Sequence, residues 1–499
     1  MNSTANRYEP EVQAPPSPVL KTDGISLRAP HLSRTDIVNE IISTARSKQH
    51  VVVGAPPATG KTALLQLVRE SLLKGGAKVV DVDIRNDGVD KLYSDVAAEG
   101  IVTQKSKLRE LKNTWLLLDD SQNAYSTQYY PFWQFIVKTI QGLGDECDLR
   151  VIISTTYDLS TSTPISPVQF SDLEHVHANI SQDEAVELFN MFARVWRYED
   201  WRIYRQTLID VSKLSDDNFH VGVIIGGIRM LDRCRKLPGA GAGIFDEPKA
   251  LSNLRSAHFI DRLDRAFRLP DDFHSAPGRG PLLDAVLAKS PAIQTDDSAL
   301  SPLIRAGILD SYGIFSSVAS QWYYNRRCFP SRADVTPESL DALVIQAVRR
   351  MSAKRLRDTL ENGFPKEATF QHLFNEAMST LLPLTNYIIP ELSTFAFDSS
   401  GNLVSGELDF YINGDLQWCL EILRLGDKIG QHLSRFDYEE GKYREVQTRE
   451  YLIVDCRGEK GARGAEVNEA RCTLYFAGNF DSCICKMRTR EELELRLAP

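Results

Sequence analysis

The sequence predicts an α/β protein with three parts in series. These are a parallel sheet wrapped by helices, a helical or winged-helix-like connector, and a second α/β domain at the C-terminus. Three observations predict it. From about residue 35 to residue 180, short apolar runs alternate with helical stretches, the pattern of strands joined by crossover helices. A run rich in Gly, Ala and Pro, Lys236–Pro248, then interrupts the alternation. After residue 356 a helical stretch gives way to short runs in which polar and apolar residues alternate, bounded by turn residues. The parts run 1–34 (flexible leader), 35–240, 241–355 and 356–499.

The leader is rich in Pro, Ser and Thr and has no apolar periodicity. Predicted strands follow at His50–Gly54, Lys78–Ile84, Trp115–Asp119, Arg150–Ser154 and Glu174–His177. Ser181-x-x-Glu184 is a capping box that opens the next helix. In the connector, Leu303–Leu309 and Gly313–Ser317 read as short strands after helical patterns, and Pro337–Leu360 as a helix. The last part starts with a helix at Lys366–Leu382. Its strands are Leu392–Phe397, Glu407–Ile412, Gln417–Leu423 and Tyr451–Asp455.

Composition narrows the function classes. The chain has 499 residues, 42% hydrophobic and 25% charged, with eight cysteines. That is ordinary globular composition, and it excludes a disordered, collagen-like or disulfide-scaffold chain. The cysteines are scattered, with one tight pair at Cys483 and Cys485, so they read as reduced, buried thiols. No apolar run reaches the roughly 18 residues of a membrane span, and no signal peptide is visible. The chain reads as soluble. The net charge of −9 gives no overall basic footprint for nucleic acid.

The strongest chemical signal is Ala55-Pro-Pro-Ala-Thr59-Gly60-Lys61-Thr62, between an apolar strand and Ala63–Glu70. The spacing matches G-x-x-x-x-G-K-[ST] except that Ala55 stands at the first glycine, with Gly54 one place earlier. Such a loop aims backbone N–H groups and a helix N-terminus at phosphates. Lys61 adds a charge, and the Thr62 hydroxyl is a Mg²⁺ ligand, so ATP and Mg²⁺ are the expected cofactors. Trp115–Leu118 is a buried-strand pattern ending in Asp119-Asp120. Asp119 is the expected Mg²⁺ partner, and Asp120 stands where many such ATPases carry a water-polarising Glu. Arg150–Ser154 runs into Thr155, and Ser154 or Thr155 is placed to sense the γ-phosphate, with a Ser/Thr turn as the alternative. His220 is a candidate adenine contact or a structural histidine.

A second signal lies in the last part. Glu407-Leu-Asp409-Phe-Tyr-Ile412, the turn residues Asn413-Gly-Asp415, and Gln417–Leu423 with Glu421 form a predicted hairpin. Parity decides whether its acids meet. A two-residue loop puts Glu421 on the face opposite Asp409. A three-residue loop puts Glu407, Asp409 and Glu421 on one face. Carboxylates clustered in that way repel and take up a divalent metal. Asp409 and Glu421 fit a PD-(D/E)xK nuclease hairpin, with Leu423 at the lysine place. Arg424, Lys428, His432, Arg435 and Lys442 are nearby cations. Glu367 and Gln371, spaced i,i+4 on the preceding helix, share a face, and Glu367 is a candidate further ligand. Residues 351–499 hold 18 Lys+Arg against 24 Asp+Glu, so DNA contact there needs a local basic strip such as Arg424–Arg435.

At these residues the chain resembles the Crinkler (CRN) effector superfamily of oomycetes and fungi. The resemblance spans roughly residues 35–499. It rests on Val53–Thr62, on Trp115–Asp120 with Gln122 and Tyr125, and on Pro365–Ala368. It continues through Gly406–Ile412, Glu421–Arg424, His432 and Arg435-Phe436. It implies a P-loop NTPase module, akin to AAA+ and STAND ATPases, joined to a restriction-endonuclease-like domain. Gly54, Ala55, Thr59, Gly60, Lys61, Thr62, Asp119 and Ser154 would serve the nucleotide. Glu367, Asp409 and Glu421 would serve a metal-dependent cleavage of DNA, with Arg424 or His432 assisting. Members of that superfamily are typically delivered into host cells, often reach the nucleus and meet host proteins there. The family's N-terminal ubiquitin-like header with its translocation motif is not visible. Two other readings stay open: a nucleotide-switched interaction protein with an inactive nuclease-like fold, and a resident signalling ATPase.

Overall fold

The computed structural model describes residues 25–27, 30–84, 89–98, 101, 104–124, 129–156, 174–196, 202–214, 218–232, 253–267, 303–304, 306–309, 316–328, 333–383, 385–386, 388–426, 428–458, 470–489 and 491–499. Most of the predicted leader, the Gly/Ala/Pro run Lys236–Pro248, Tyr125 and most of the Gly313–Ser317 run lie outside the described residues.

The N-terminal part alternates helix and strand. Its elements are α1 (Thr35–Lys48), β1 (His50–Gly54), α2 (Lys61–Lys74), β2 (Lys78–Asp83), α3 (Val89–Ala98) and α4 (Lys105–Glu110). Then come β3 (Thr114–Asp119), α5 (Tyr130–Trp133), β4 (Leu149–Thr155) and β5 (Glu174–His177). The five strands form a parallel sheet in the order β2-β3-β4-β1-β5. Val51, Val52, Val53, Leu116 and Leu118 are buried because helices cover both faces of a parallel sheet. β4 separates β1 from β3, so the carboxyl ends of all three meet at one edge, where ligands bind in open α/β sheets.

A helical layer follows: α6 (Gln182–Trp196), α7 (Arg202–Ser212), α8 (Val221–Asp232), α9 (Ala257–Arg262) and α10 (Val318–Cys328). The capping box forms as the sequence predicts. Glu184 N–H donates to Ser181 Oγ at 3.2 Å, and Ser181 N–H donates to Glu184 Oε2 at 2.9 Å. Leu303 and Ile304, predicted as strand, are helical. They sit in the same apolar cluster as Phe259 and Phe267, and that packing overrides their β-propensity.

The C-terminal part begins with α11 (Leu340–Arg350) and α12 (Ala353–Asp358), where the sequence predicts one helix. The break falls at Ser352, whose Oγ accepts from Arg355 N–H at 3.4 Å and so starts a new helix. A short hairpin, β6 (Leu360–Glu361) and β7 (Phe364–Pro365), leads into α13 (Glu367–Leu381). The remaining strands are β8 (Ile388–Phe397), β9 (Leu403–Ile412), β10 (Trp418–Arg424), β11 (Glu450–Gly458), β12 (Arg471–Phe476), β13 (Ser482–Lys486) and β14 (Glu492–Arg496). A short helix, α14 (Ile429–Ser434), stands between β10 and β11. The seven strands form one sheet in the order β14-β13-β12-β11-β10-β9-β8. β10, β11 and β12 run parallel, and the flanking pairs are antiparallel.

Two cores hold this part. Phe370 and Phe374 of α13, with Leu343 of α11, pack with Leu420, Ile422, Leu452 and Val454. Ile389, Leu392, Leu408 and Tyr411 instead share a core with Phe259, Leu263 and Trp322 of the helical layer. Hydrogen bonds join the same regions, these two among them. Trp322 Nε1 donates to the Pro390 carbonyl at 3.0 Å, and Asn413 Nδ2 donates to the Arg255 carbonyl at 3.2 Å.

Candidate functional site

The first site forms at the carboxyl edge of the N-terminal sheet. β1 ends at Gly54, whose α-carbon has open space on the side where a β-carbon would stand. The loop then turns through Ala58, at φ +55°, and Gly60, at φ +92°. Gly60 takes the left-handed conformation without a β-carbon penalty, which lets α2 start directly behind the loop. Ala55, at the place of the first motif glycine, is fully buried, and its N–H donates to the Thr155 carbonyl at 3.3 Å. Thr59 Oγ1 donates to the Pro56 carbonyl at 2.7 Å. Lys61 is buried, and its Nζ donates to the carbonyls of Ala55 at 3.0 Å and Pro56 at 2.8 Å. A bound phosphate would compete with those carbonyls for the ammonium group.

Asp119 lies at the end of β3, across β4 from the loop. Ser154 Oγ donates to its Oδ1 at 2.8 Å, Asp120 N–H donates at 2.9 Å, and the Thr62 hydroxyl also bonds to it. Burial raises the Asp119 pKa above the ordinary carboxylate value, and the Thr62 and Ser154 hydrogen bonds offset part of that rise. A half-buried carboxylate beside a hydroxyl is a hard-oxygen donor set of the kind Mg²⁺ takes. Thr62 and Asp119 are the residues that would hold the ion. Asp120 has φ +51°, and its Oδ1 accepts from Gln122 Nε2 at 2.9 Å.

The helical layer closes over this loop. A methyl group on Gly222 would stand 2.8 Å from the Ala58 carbonyl, so only glycine lets α8 approach so near. His220, one residue before α8, is fully buried. Its pKa is pushed down to about 3, first by burial and then by the Lys61 charge. It is a neutral imidazole packed edge-on against Phe267 at 5.2 Å.

The second site forms on β9 and β10. The observed register pairs Ile412 with Trp418, Tyr411 with Cys419 and Phe410 with Leu420. The connection is therefore residues 413–417, longer than either predicted loop, because Asn413 and the turn after it pack against Arg255 and Asn386. It is longer than the three-residue loop by one pleat repeat, so the predicted parity survives. Continued one step, the register sets Asp409 opposite Glu421, with Glu407 on the same face.

There the ladder opens, and the carboxylates take its bonds. Asp409 Oδ2 accepts from Ile422 N–H at 2.6 Å, and Oδ1 accepts from Gln371 Nε2 at 3.0 Å. Burial and then the Glu421 charge push the Asp409 pKa well above the usual carboxylate range, with smaller contributions from Glu367 and Glu407. Glu421 is 1% exposed. Its Oε1 contacts the Tyr443 hydroxyl. Its Oε2 contacts His432 Nδ1 at 2.6 Å and Arg435 Nη1 at 3.5 Å. The Tyr443 hydroxyl also contacts the Glu407 carbonyl and accepts from Arg435 Nη1 at 3.1 Å.

The fold thus brings Asp409, Glu421 and His432 together, with Glu367 near enough to raise the Asp409 pKa. It does not bring Arg424 to them. Arg424 Nε donates to the Pro365 carbonyl at 2.9 Å, and Nη2 to the Glu361 carbonyl at 3.0 Å, so the side chain anchors the β6–β7 hairpin. Lys428 and Lys442 are exposed, and Leu423 is 2% exposed. Tyr443 goes unread in the sequence because it lies outside the hairpin, on a loop with no periodicity. A tyrosine a short distance after His432 and Arg435 was its only signal. The donor chemistry fits a hard divalent cation, since Asp409 and Glu421 are neighbouring acids and the Glu421 charge helps to raise the Asp409 pKa. Among the described residues no three His, Cys, Asp or Glu side chains are grouped as a metal cage. Glu421 would have to release Tyr443 or His432 to join Asp409.

No family model matches the chain, and no curated protein matches it. Solved structures do. The HORMA:CdnC:Trip13 complex of E. coli MS115-1 matches at 14% identity over 44% of this chain and 78% of that one, with a TM-score of 0.31. The Walker-type ATPase of Pyrococcus abyssi matches at 10% identity over 58% and 95%, with a TM-score of 0.36. AMPPCP-bound DnaA from Aquifex aeolicus matches at 16% identity over 54% and 74%, with a TM-score of 0.30. The P-loop-type α/β fold itself stands on the strand order, the Gly60-Lys61-Thr62 loop and the Asp119 strand end.

Proposed function

We propose that this chain is a two-module enzyme in which an ATP-binding P-loop domain regulates a metal-dependent phosphodiesterase acting on DNA. One observation carries the reading: Asp409 and Glu421 face each other across β9 and β10 while Gln371 of α13 reaches the same carboxylate. Lys61 and the loop N–H groups bind the phosphates, and Thr62 and Asp119 hold Mg²⁺. At the second site Asp409 and Glu421 would hold the ion, which when bound neutralises the phosphate and lowers the pKa of its water. The resemblance to Crinkler effectors supports secretion and action in a host nucleus as part of the same proposal. The test is cleavage of plasmid DNA by the full chain with Mg²⁺, with and without ATP. Asp409→Ala and Glu421→Ala should each abolish it, and Lys61→Ala should remove the ATP response. Cleavage that survives both acid substitutions sinks the assignment.

A specific observation favours a second reading, a nucleotide-switched binding protein without nuclease activity. Leu423 is buried at the lysine place and both Glu421 oxygens have partners. That reading expects ATP binding, no cleavage with any divalent metal, and a stable macromolecular partner.

A further inference from the structure

We infer that Arg435 is the catalytic cation of the Asp409–Glu421 site and does the work that a lysine at position 423 would do. The inference rests on the phosphodiesterase reading. Leu423 faces Asp455 on the neighbouring strand and is 2% exposed, so β10 offers no cation at that place. The acid pair is nonetheless supplied with one from the other side. α14 and the turn after it carry Arg435 to within 3.5 Å of Glu421 Oε2. Tyr443 holds one guanidinium nitrogen at 3.1 Å and so fixes the planar group beside the acids. The Arg435 side chain is 31% exposed, against 1% for Glu421, so it is partly open to solvent where the acid is not.

The other cations fit less well. Arg424 is tied to the Glu361 and Pro365 carbonyls. His432 sits 2.6 Å from the same carboxylate, but its side chain is 16% exposed and it is charged only when protonated. A guanidinium is always charged and presents a fork that matches two phosphate oxygens. Cleavage adds water across one P–O ester bond. The water oxygen joins phosphorus, the ester oxygen leaves with the proton, and no electrons change hands. Negative charge builds on the phosphoryl oxygens in the transition state, and Arg435 meets it there.

The geometry makes Arg435 play two opposed parts. It lies on Glu421 Oε2, so it competes with a metal for that carboxylate, yet it stabilises the charge that the metal helps to create. The experiment measures both on the full chain. Cleavage of supercoiled plasmid is followed with Mg²⁺ or Mn²⁺. Mn²⁺ binding without ATP is followed by calorimetry, with Asp409→Ala giving the signal of other sites. Arg435→Ala should slow cleavage on the order of 100-fold while binding Mn²⁺ more tightly. Arg435→Lys should keep part of the rate, and adding Leu423→Lys to Arg435→Ala should restore part of it. Because Leu423 is buried, thermal melting checks the fold of that double variant, and Arg435→Lys serves where it fails to fold. Unchanged cleavage by Arg435→Ala overturns the inference, as does a joint fall of cleavage and Mn²⁺ binding. A wild-type chain that leaves the plasmid intact with both metals overturns the nuclease reading, and this inference with it.

Discussion

Asp409 shows how one residue can be tied to function by its instability. Its two oxygens accept from Ile422 N–H and Gln371 Nε2, yet burial and Glu421 still raise its pKa well above the ordinary value. A carboxyl with a raised folded pKa binds its proton more tightly in the folded chain than in the unfolded one. Its contribution to stability is therefore present at low pH and lost as pH rises from the unfolded value, about 3.9, through the raised folded value. Asp409→Asn cannot ionise and keeps an amide oxygen for one of the two donors. The variant should melt higher than wild type at pH 8 without metal, and the gap should close as pH is lowered toward 5. Equal melting shifts at both pH values would show that Asp409 is not held protonated by its surroundings. At this scale alternation in the sequence named Asp409 and Glu421, and His432 came from the resemblance. The resemblance also offered Arg424 as a helper, and the fold ties that side chain to carbonyls of the hairpin at residues 360–365, a contact no sequence pattern shows.

Elements were legible where burial made their pattern simple. β1 and β5 stand where the apolar runs put them, and β2, β3 and β4 differ only at their ends. The strands β12, β13 and β14 went unread. Arg471–Phe476 pairs in parallel with β11 rather than through a turn, Ser482–Lys486 is short, and Glu492–Arg496 is a short edge strand with the charged residues that such strands use against aggregation. The α6 start was legible in full because a capping box is local chemistry. Ser181 and Glu184 exchange hydrogen bonds, and Glu184 also pairs with Arg34 Nε at 3.0 Å. Ser181→Ala removes the side-chain acceptor of one helix N–H. It should lower unfolding free energy by about 1 kcal/mol, read as a lower denaturant midpoint with an unchanged slope. A loss within a few tenths would mean that water satisfies the freed N–H.

Across the whole molecule, the packing of the helical layer against both sites was not legible, since contacts between distant segments leave no local pattern. Gly222 brings α8 onto the phosphate loop. Phe267 packs edge-on against His220 at 5.2 Å and tilted against Tyr323 at 5.5 Å, and the adjacent Trp322 donates to the Pro390 carbonyl at 3.0 Å. Pro390 precedes Glu391, whose φ of +49° interrupts β8 where the register sets it opposite Asp409. Packed aromatic side chains thus run from His220, whose pKa the Lys61 charge lowers, to β8, which pairs with the acid-bearing β9. This contact is one route by which ATP would act on the second site. Trp322→Phe keeps most of the ring volume but leaves the Pro390 carbonyl without its donor, at a cost of about 1–3 kcal/mol. Hydrogen exchange of the β9 and β10 amides should change when ATP is added to the wild-type chain. In Trp322→Phe the ATP-dependent change should shrink while ATP affinity stays the same. A variant that binds ATP and still transmits the full change would remove Trp322 from the route and leave other links between the two regions, among them Asn413 to the Arg255 carbonyl and Arg202 to the Gly401 carbonyl.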